Sequence, residues 1–193
     1  MPESAGGTPP LKVLLICGSL RQGSFNRRLL KAAVEVAPPE LSFAWFDRLG
    51  ELPLYNADVE KDGDPEPVAA FKSAVAAADV LLISTPEYNY GLPGGLKNAI
   101  DWASRPPATS VLKGKPVAIM GASGGRGGTI RAQLHLRQVF VFTETYAMVK
   151  PEILVATAAE KFDDEGRLTD EQTRNFLTKF VAAIPAWARR FRN

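Results

Sequence analysis

The sequence predicts an α/β fold in which a parallel sheet is covered by helices on both faces, giving three layers. Three observations predict it. The run DVLLIS, 79–84, is apolar without a break from Val80 to Ile83, the pattern of a strand buried on both faces. Strand-like runs alternate with helical stripes along the whole chain, which requires crossover connections and hence parallel neighbours. Three of the connections that follow strands are crowded with glycine, serine, asparagine and tyrosine.

In chain order, the apolar run Val13–Cys17 ends at Gly18 as the first strand. Leu30, Ala33, Val34 and Ala37 then recur on one helix face until Pro38 and Pro39 stop it. The segment LSFAWF, 41–46, reads as a second strand, and the polar stretch from Asp47 to Pro67 as a long loop. A helix follows with Val68, Phe71, Val75 and Ala78 inward, and it leads into the strand at 79–84. After TPEYNYGLPGG a third helix carries Leu96, Ala99, Ile100 and Ala103 on one side. KPVAIMGA, 115–122, is the fourth strand and runs into SGGRGG. A helix from Thr129 to Phe142 precedes a short strand in EILVAT. The last helix is expected to open at Thr169, with Gln172 completing a capping box, and to bury Phe176, Leu177, Phe180, Val181 and Ile184.

The 193 residues, 46% of them hydrophobic, suit one domain over 11–193 behind a disordered leader at 1–10. With 23 basic and 21 acidic residues the net charge of +2 is too small to argue for nucleic acid or membrane as a partner. The lone Cys17 sits in an apolar run and reads as a small buried hydrophobe. The opening MPESAGGTPP has no signal-peptide pattern and no apolar run reaches membrane-spanning length, so the expected location is the cytoplasm. No cluster of His, Cys and carboxylates suggests a metal, and the single histidine, His135, reads as a surface or interface residue.

In an open α/β sheet, ligands bind beyond the carboxyl ends of the strands, where strand order reverses. The loops there read GSLRQGSFN, TPEYNYGLPGG and ASGGRGG. The first opens a helix, whose free N–H groups and positive dipole end favour an anion, and Ser19, Ser24 and Asn26 add side-chain donors. Arg27 and Arg28 in the first turn oppose the dipole by about 0.3–1 kcal/mol each, a sign that a bound dianion would reverse. It is not a Walker loop, because Ser24 stands where the lysine belongs, and it lacks the glycine spacing of the dinucleotide fingerprint. A mononucleotide phosphate suits it better, although Ser24 or Asn26 could equally cap the helix with no ligand. In the second loop Tyr88 and Tyr90 bracket Asn89, while Pro86, Gly91 and Pro93 stiffen the backbone, which suits a flat heterocycle. The third loop, with Gly124, Gly125, Gly127 and Gly128, lets backbone N–H groups approach a ring edge, or is simply a flexible tip.

GSLRQGSFNRRLLKAA followed by PEYNYGLPGGLKNAIDWAS resembles the NADPH-dependent FMN reductase family of flavodoxin-like proteins, which includes quinone, chromate and azo-dye reductases. The resemblance spans about Lys12 to Thr157. It implies a five-stranded sheet in the order 2-1-3-4-5. Ser19, Arg21, Ser24 and Asn26, with the backbone at Phe25, would hold the phosphate of FMN. Pro86, Glu87, Tyr88, Asn89, Tyr90 and Gly91 would line its ribityl chain and ring, and Ser123, Gly124 and Gly125 would meet its pyrimidine edge. A homodimer or homotetramer is implied, and the apolar stretch HLRQVFVF, 135–142, is the candidate interface.

The activity implied is hydride transfer from NADPH or NADH through FMN to a small-molecule acceptor by ping-pong kinetics. The cofactor carries that chemistry and the protein supplies position, so no catalytic side chain is named, Glu87 included. A 2′-phosphate on the donor would need a basic partner, for which Arg105, Lys113 and Arg126 are unranked candidates. The alternatives are a flavodoxin-like electron carrier, which such proteins' acidity argues against here, and a flavin-free regulatory protein on the same fold.

Overall fold

The computed structural model describes residues 9–191, and most of the expected leader, residues 1–8, lies outside them. The sheet is built from β1 (Leu11–Cys17), β2 (Leu41–Phe46), β3 (Val80–Ser84), β4 (Pro116–Ala122), β5 (Tyr146–Ala147) and β6 (Ile153–Val155). Its order is β2-β1-β3-β4-β5, with every pairing parallel, which is the flavodoxin-like arrangement. Where one fifth strand is expected there are two short ones. β5 pairs with Pro116–Val117 and β6 with Met120–Ala122, both along the same edge of β4. Pro151, between them, has no N–H to give to the ladder.

The helices are α1 (Phe25–Glu35), α2 (Ala57–Lys61), α3 (Glu66–Ala77), α4 (Gly94–Ala103), α5 (Ile130–Phe142) and α6 (Glu171–Arg189). α1 and α6 bury Leu29, Leu30, Leu177, Phe180 and Ile184 against one face of the sheet. α3, α4 and α5 bury Val68, Phe71, Leu96, Leu136 and Phe140 against the other. β3 separates these layers and is buried at all five positions, so its unbroken apolar run is what the two faces require.

Several boundaries differ from the sequence reading. α1 stops at Glu35, and Leu29 rather than the exposed Val34 completes its buried face. The long loop holds a 3-10 turn at Leu49–Glu51 and the short α2, which starts where the Asn56 side chain accepts from the Asp58 N–H at 2.9 Å. α6 begins one residue later than expected, because the Asp170 carboxylate, not a Thr169 hydroxyl, accepts from the Thr173 N–H at 2.8 Å. A carboxylate is the stronger acceptor, and Lys161 at 2.8 Å holds it in place and with Thr173 lowers its pKa to about 2. Phe176, expected inside, is exposed, and Pro185 takes a buried place on the inner face of α6.

Candidate functional site

The strand order reverses between β1 and β3, so the ends of these strands and of β4 bring the three unusual loops together. Gly18, directly after β1, donates its N–H to the Ser84 carbonyl at 2.8 Å. A Cβ there would lie 3.1 Å from Leu96 and 3.3 Å from Pro86, so glycine lets the first loop press against the second. The contact is completed by hydroxyls, with Ser19 Oγ 3.3 Å from Tyr88 Oη.

Within the first loop the polar residues divide by burial. Ser24, 2% exposed, is the N-cap of α1, and its Oγ accepts from the Asn26 N–H at 3.2 Å. Asn26, expected to donate to phosphate, is also 2% exposed and has a different principal task. Its Oδ1 accepts from Ser84 Oγ at 2.9 Å and from the Ala122 N–H at 2.9 Å, and its Nδ2 donates to the Ala122 carbonyl at 2.9 Å. One side chain thus pins α1 to the carboxyl ends of β3 and β4, leaving a single Nδ2 hydrogen over. Burial pushes the Cys17 thiol pKa up, and Cys17 is a free, buried side chain beside Ser24, as a small hydrophobe would be.

Of the others, Arg21 is exposed and Ser19 is half-buried. The Arg21 guanidinium has no carboxylate partner among the described residues and lies 5.5 Å from the Phe25 ring centroid. Arg27 and Arg28 do not wait for an anion. Arg27 pairs with Asp47 at 2.6 Å, while Arg28 donates to the Asp163 carbonyl at 3.3 Å. Their unfavourable placement at the helix start is therefore offset within the protein. Beside this loop, Ser19, Arg21, Gln22, Arg27, Asp47 and Gly50 help to line a recess of about 440 Å³.

In the second loop Tyr88 and Gly91 exchange N–H···O bonds of 3.1 and 2.9 Å around Asn89 and Tyr90, whose φ angles are 49° and 65°. Two left-handed central residues make a type I′ turn, which non-glycine residues occupy at a cost. The stiffness expected from Pro86 and Gly91 is thus concentrated at Asn89 and Tyr90. Tyr88 and Tyr90 are 50% and 72% exposed, and the Arg131 guanidinium stands 3.9 Å from the Tyr90 ring centroid. Glu87 is turned away to α5. Its carboxylate accepts from the N–H groups of Arg131 and Ala132 at 2.9 and 3.2 Å and pairs with the Arg131 side chain at 3.0 Å. Those bonds make it a cap for α5 rather than a lining group for a ring.

The third loop is stitched to the segment after β6. Ser123 donates its N–H to Val155 and accepts from Ala158, and Gly125 accepts from Thr157, at 2.9, 3.0 and 3.2 Å. Ser123 Oγ accepts from the Gly125 N–H at 3.1 Å, while at Gly124 a Cβ would meet nothing within 4 Å, so its backbone faces open space. Arg126 in this loop is exposed and has no ion pair among the described residues. Arg105, after the far end of α4, and Lys113, ahead of β4 and paired with Glu144 at 3.1 Å, belong to the opposite end of the sheet.

Sequence reasoning missed Ser84, Thr157, Ala158 and the α5-capping work of Glu87. Ser84 ends an expected strand, where nothing local signals a bond to Asn26; Thr157 ends and Ala158 follows the short strand expected in EILVAT, and their bonds to the third loop are likewise non-local. A second cavity of about 510 Å³, lined by Phe140, Val141, Tyr146, Val149 and Trp187 among others, shares no residue with the three loops. Among the described residues no helix is long and apolar enough to cross a membrane, and no group of three or more His, Cys, Asp or Glu could hold a metal ion.

Among the described residues, the groups left free at this edge are two cations, Arg21 and Arg126, one hydroxyl pair, two exposed aromatic rings and an open glycine backbone, which together fit the phosphate and flat ring of FMN. Residues 11–160 match the NADPH-dependent FMN reductase family. The chain is 49% identical over 182 residues to the NAD(P)H-dependent FMN reductase of Pseudomonas aeruginosa, covering 94% of this chain and 97% of the relative. It is 46% identical over 179 residues to the 2-hydroxy-1,4-benzoquinone reductase of a Burkholderia species, covering 93% and 97%. Among solved structures, a flavoenzyme NAD(P)H:(acceptor) oxidoreductase from Paracoccus denitrificans superposes with a TM-score of 0.86 at 39% identity, covering 94% of this chain and 98% of that one.

Proposed function

The chain belongs to the NADPH-dependent FMN reductase family, and from that premise we propose that it is an FMN-dependent NAD(P)H oxidoreductase whose acceptor is a quinone. The observation that carries this reading is the meeting of Ser19 and Tyr88, 3.3 Å apart, which sets a cation-bearing helix N-terminus against an aromatic turn at the point of strand reversal. Bound there, FMN supplies the chemistry of accepting hydride from the nicotinamide and passing it to the acceptor.

The chain supplies position. Ser19, Arg21 and the N–H of Phe25 hold the phosphate, with Ser24 and Asn26 shaping the turn that presents them. Pro86 and the turn Tyr88–Gly91 would border the ring, with Glu87 bonded behind it to α5, and within Ser123–Gly125 the open backbone at Gly124 would meet its polar edge. FMN would supply the hydride chemistry and solvent the proton that completes quinone reduction, so no side chain is assigned as acid or base.

Residues 11–193 act as one FMN-binding domain in the cytoplasm. The chain assembles as a homodimer or homotetramer through the outer face of α5, where Leu134, Val141 and Phe142 are 59%, 80% and 82% exposed. Leu136 and Phe140 from the same stretch are core residues and take no part. Replacing Val141 and Phe142 by glutamate gives a smaller species in sedimentation; an unchanged mass would place the interface elsewhere.

The visible spectrum of the purified protein, recorded anaerobically before and after NADPH or NADH, tests the activity. Bound oxidised flavin that bleaches rapidly and recovers on adding a quinone is the expected result. Parallel double-reciprocal lines should accompany it, with chromate and azo dyes compared as acceptors in the same assay. A bound flavin that neither donor reduces would instead favour an electron carrier.

A further inference from the structure

Arg21 lies on an exposed loop, and a guanidinium on four rotatable bonds holds a fixed position there only if something restrains it. The restraint available is the Phe25 ring, whose centroid is 5.5 Å from the Arg21 guanidinium carbon and 5.6 Å from that of Arg28. Phe25 is itself stacked on Phe162, with centroids 5.9 Å apart and ring planes 26° from parallel. Phe162 comes from the connection between β6 and α6, just beyond the 11–160 stretch that matches the family.

That connection is stiff. The Asp163 carbonyl accepts from the Gly166 N–H at 2.9 Å, its N–H donates to the Arg167 carbonyl at 3.0 Å, and its carboxylate accepts from the Arg167 N–H at 2.8 Å. Its carbonyl takes a bond from Arg28, whose side chain runs over Gly166 where a Cβ would be 3.1 Å away at a φ of +85°. A second guanidinium is thereby fixed beside the same ring by a segment far away in sequence.

We propose that Phe25 is a positioning residue for the phosphate site: braced by Phe162 and the Asp163–Gly166 turn, its ring holds the Arg21 guanidinium at the mouth of α1, so that the protein selects FMN over riboflavin. The proposal rests on the reading of Arg21 as a phosphate ligand. It adds that the selectivity depends on an aromatic side chain acting through Arg21.

The test is binding to the apoprotein, measured by flavin fluorescence quenching with FMN and with riboflavin, which lacks the phosphate. Phe25→Leu is expected to weaken FMN roughly three- to tenfold and to leave riboflavin affinity unchanged, while Phe25→Tyr, which keeps a ring, restores FMN binding. In an Arg21→Ala background, Phe25→Leu should cause no further loss. Equal weakening of both flavins, or a full effect of Phe25→Leu without Arg21, would overturn the proposal and assign Phe25 a packing role. If Arg21→Ala alone leaves FMN affinity unchanged, the phosphate-ligand reading falls and this proposal falls with it. Should Phe25→Leu fold poorly, Phe162→Leu, which removes only the brace, is expected to lower FMN affinity in the same direction and again to spare riboflavin; no change in the FMN-to-riboflavin ratio there would also overturn the proposal.

Discussion

The buried and exposed halves of the loop cluster carry similar residue types and put them to opposite uses. Ser24, Ser84, Asn26 and Glu87 lie inside, and every one of them bonds to the protein: a cap on α1, a tie across β3 and β4, a cap on α5. Arg21, Tyr88, Tyr90 and Gly124 lie outside, with the half-buried Ser19 at the boundary, and their side chains meet the chain through one hydroxyl contact and guanidinium–ring contacts rather than through buried hydrogen bonds. A buried polar group must find its partners within the fold, whereas an exposed one can remain available to a ligand. Burial, more than residue type, therefore separates the frame of this site from its ligand-facing surface.

The comparison is broken most directly at Asn26. Asn26→Ala strands Ser84 Oγ and both main-chain groups of Ala122 in a dry environment, and should destabilise the fold by roughly 3–5 kcal/mol. Chemical denaturation measures it. An unfolding midpoint unchanged from the parent would show that Asn26 is not part of the frame. Arg21→Ala should do the reverse, weakening FMN by about 1.5–3 kcal/mol while the apoprotein unfolds as before.

Glu87 sharpens the division because it lies next to the aromatic turn yet faces away from it. Glu87→Gln keeps a neutral acceptor for one α5 N–H but gives up the charge that faces the helix dipole and Arg131. A stability loss of about 0.5–1.5 kcal/mol is expected, with anaerobic flavin reduction by NADPH as fast as in the parent. A large fall in the reduction rate with no change in stability would move Glu87 into the ligand-facing half.

How much of this was legible in the sequence follows from the same division. The parallel sheet and the three unusual loops came through because apolar runs, helical stripes and glycine turns are local signals, while the strand order was legible only through the family resemblance carried by the paired motifs. The role of Asn26 did not, since its partners Ser84 and Ala122 are 58 and 96 residues away and a buried amide looks in sequence like any other polar residue after a glycine turn. The splitting of the outer strand was hidden too. Tyr146–Ala147 is too short for a periodic pattern, and only pairing with β4 makes it a strand. Phe176 misled because helical spacing places a residue on a face without saying how far the layer opposite extends.

An effect of similar small size concerns Arg126. Of the three basic residues considered for a donor 2′-phosphate, Arg105 and Lys113 stand at the wrong end of the sheet, and Lys113 already faces Glu144. Arg126 lies in the third loop, exposed and without an ion pair among the described residues. An exposed guanidinium on a glycine-rich tip gains little from a phosphate, because the tip must be ordered and solvent screens the charge. Arg126→Ala is therefore expected to lower the ratio of kcat/KM for NADPH to that for NADH only about threefold to tenfold, corresponding to about 0.7–1.4 kcal/mol. The difference should shrink as salt is raised, whereas FMN affinity stays constant. A ratio that does not move would mean that Arg126 does not read the 2′-phosphate, and would make it part of the exposed half in position only.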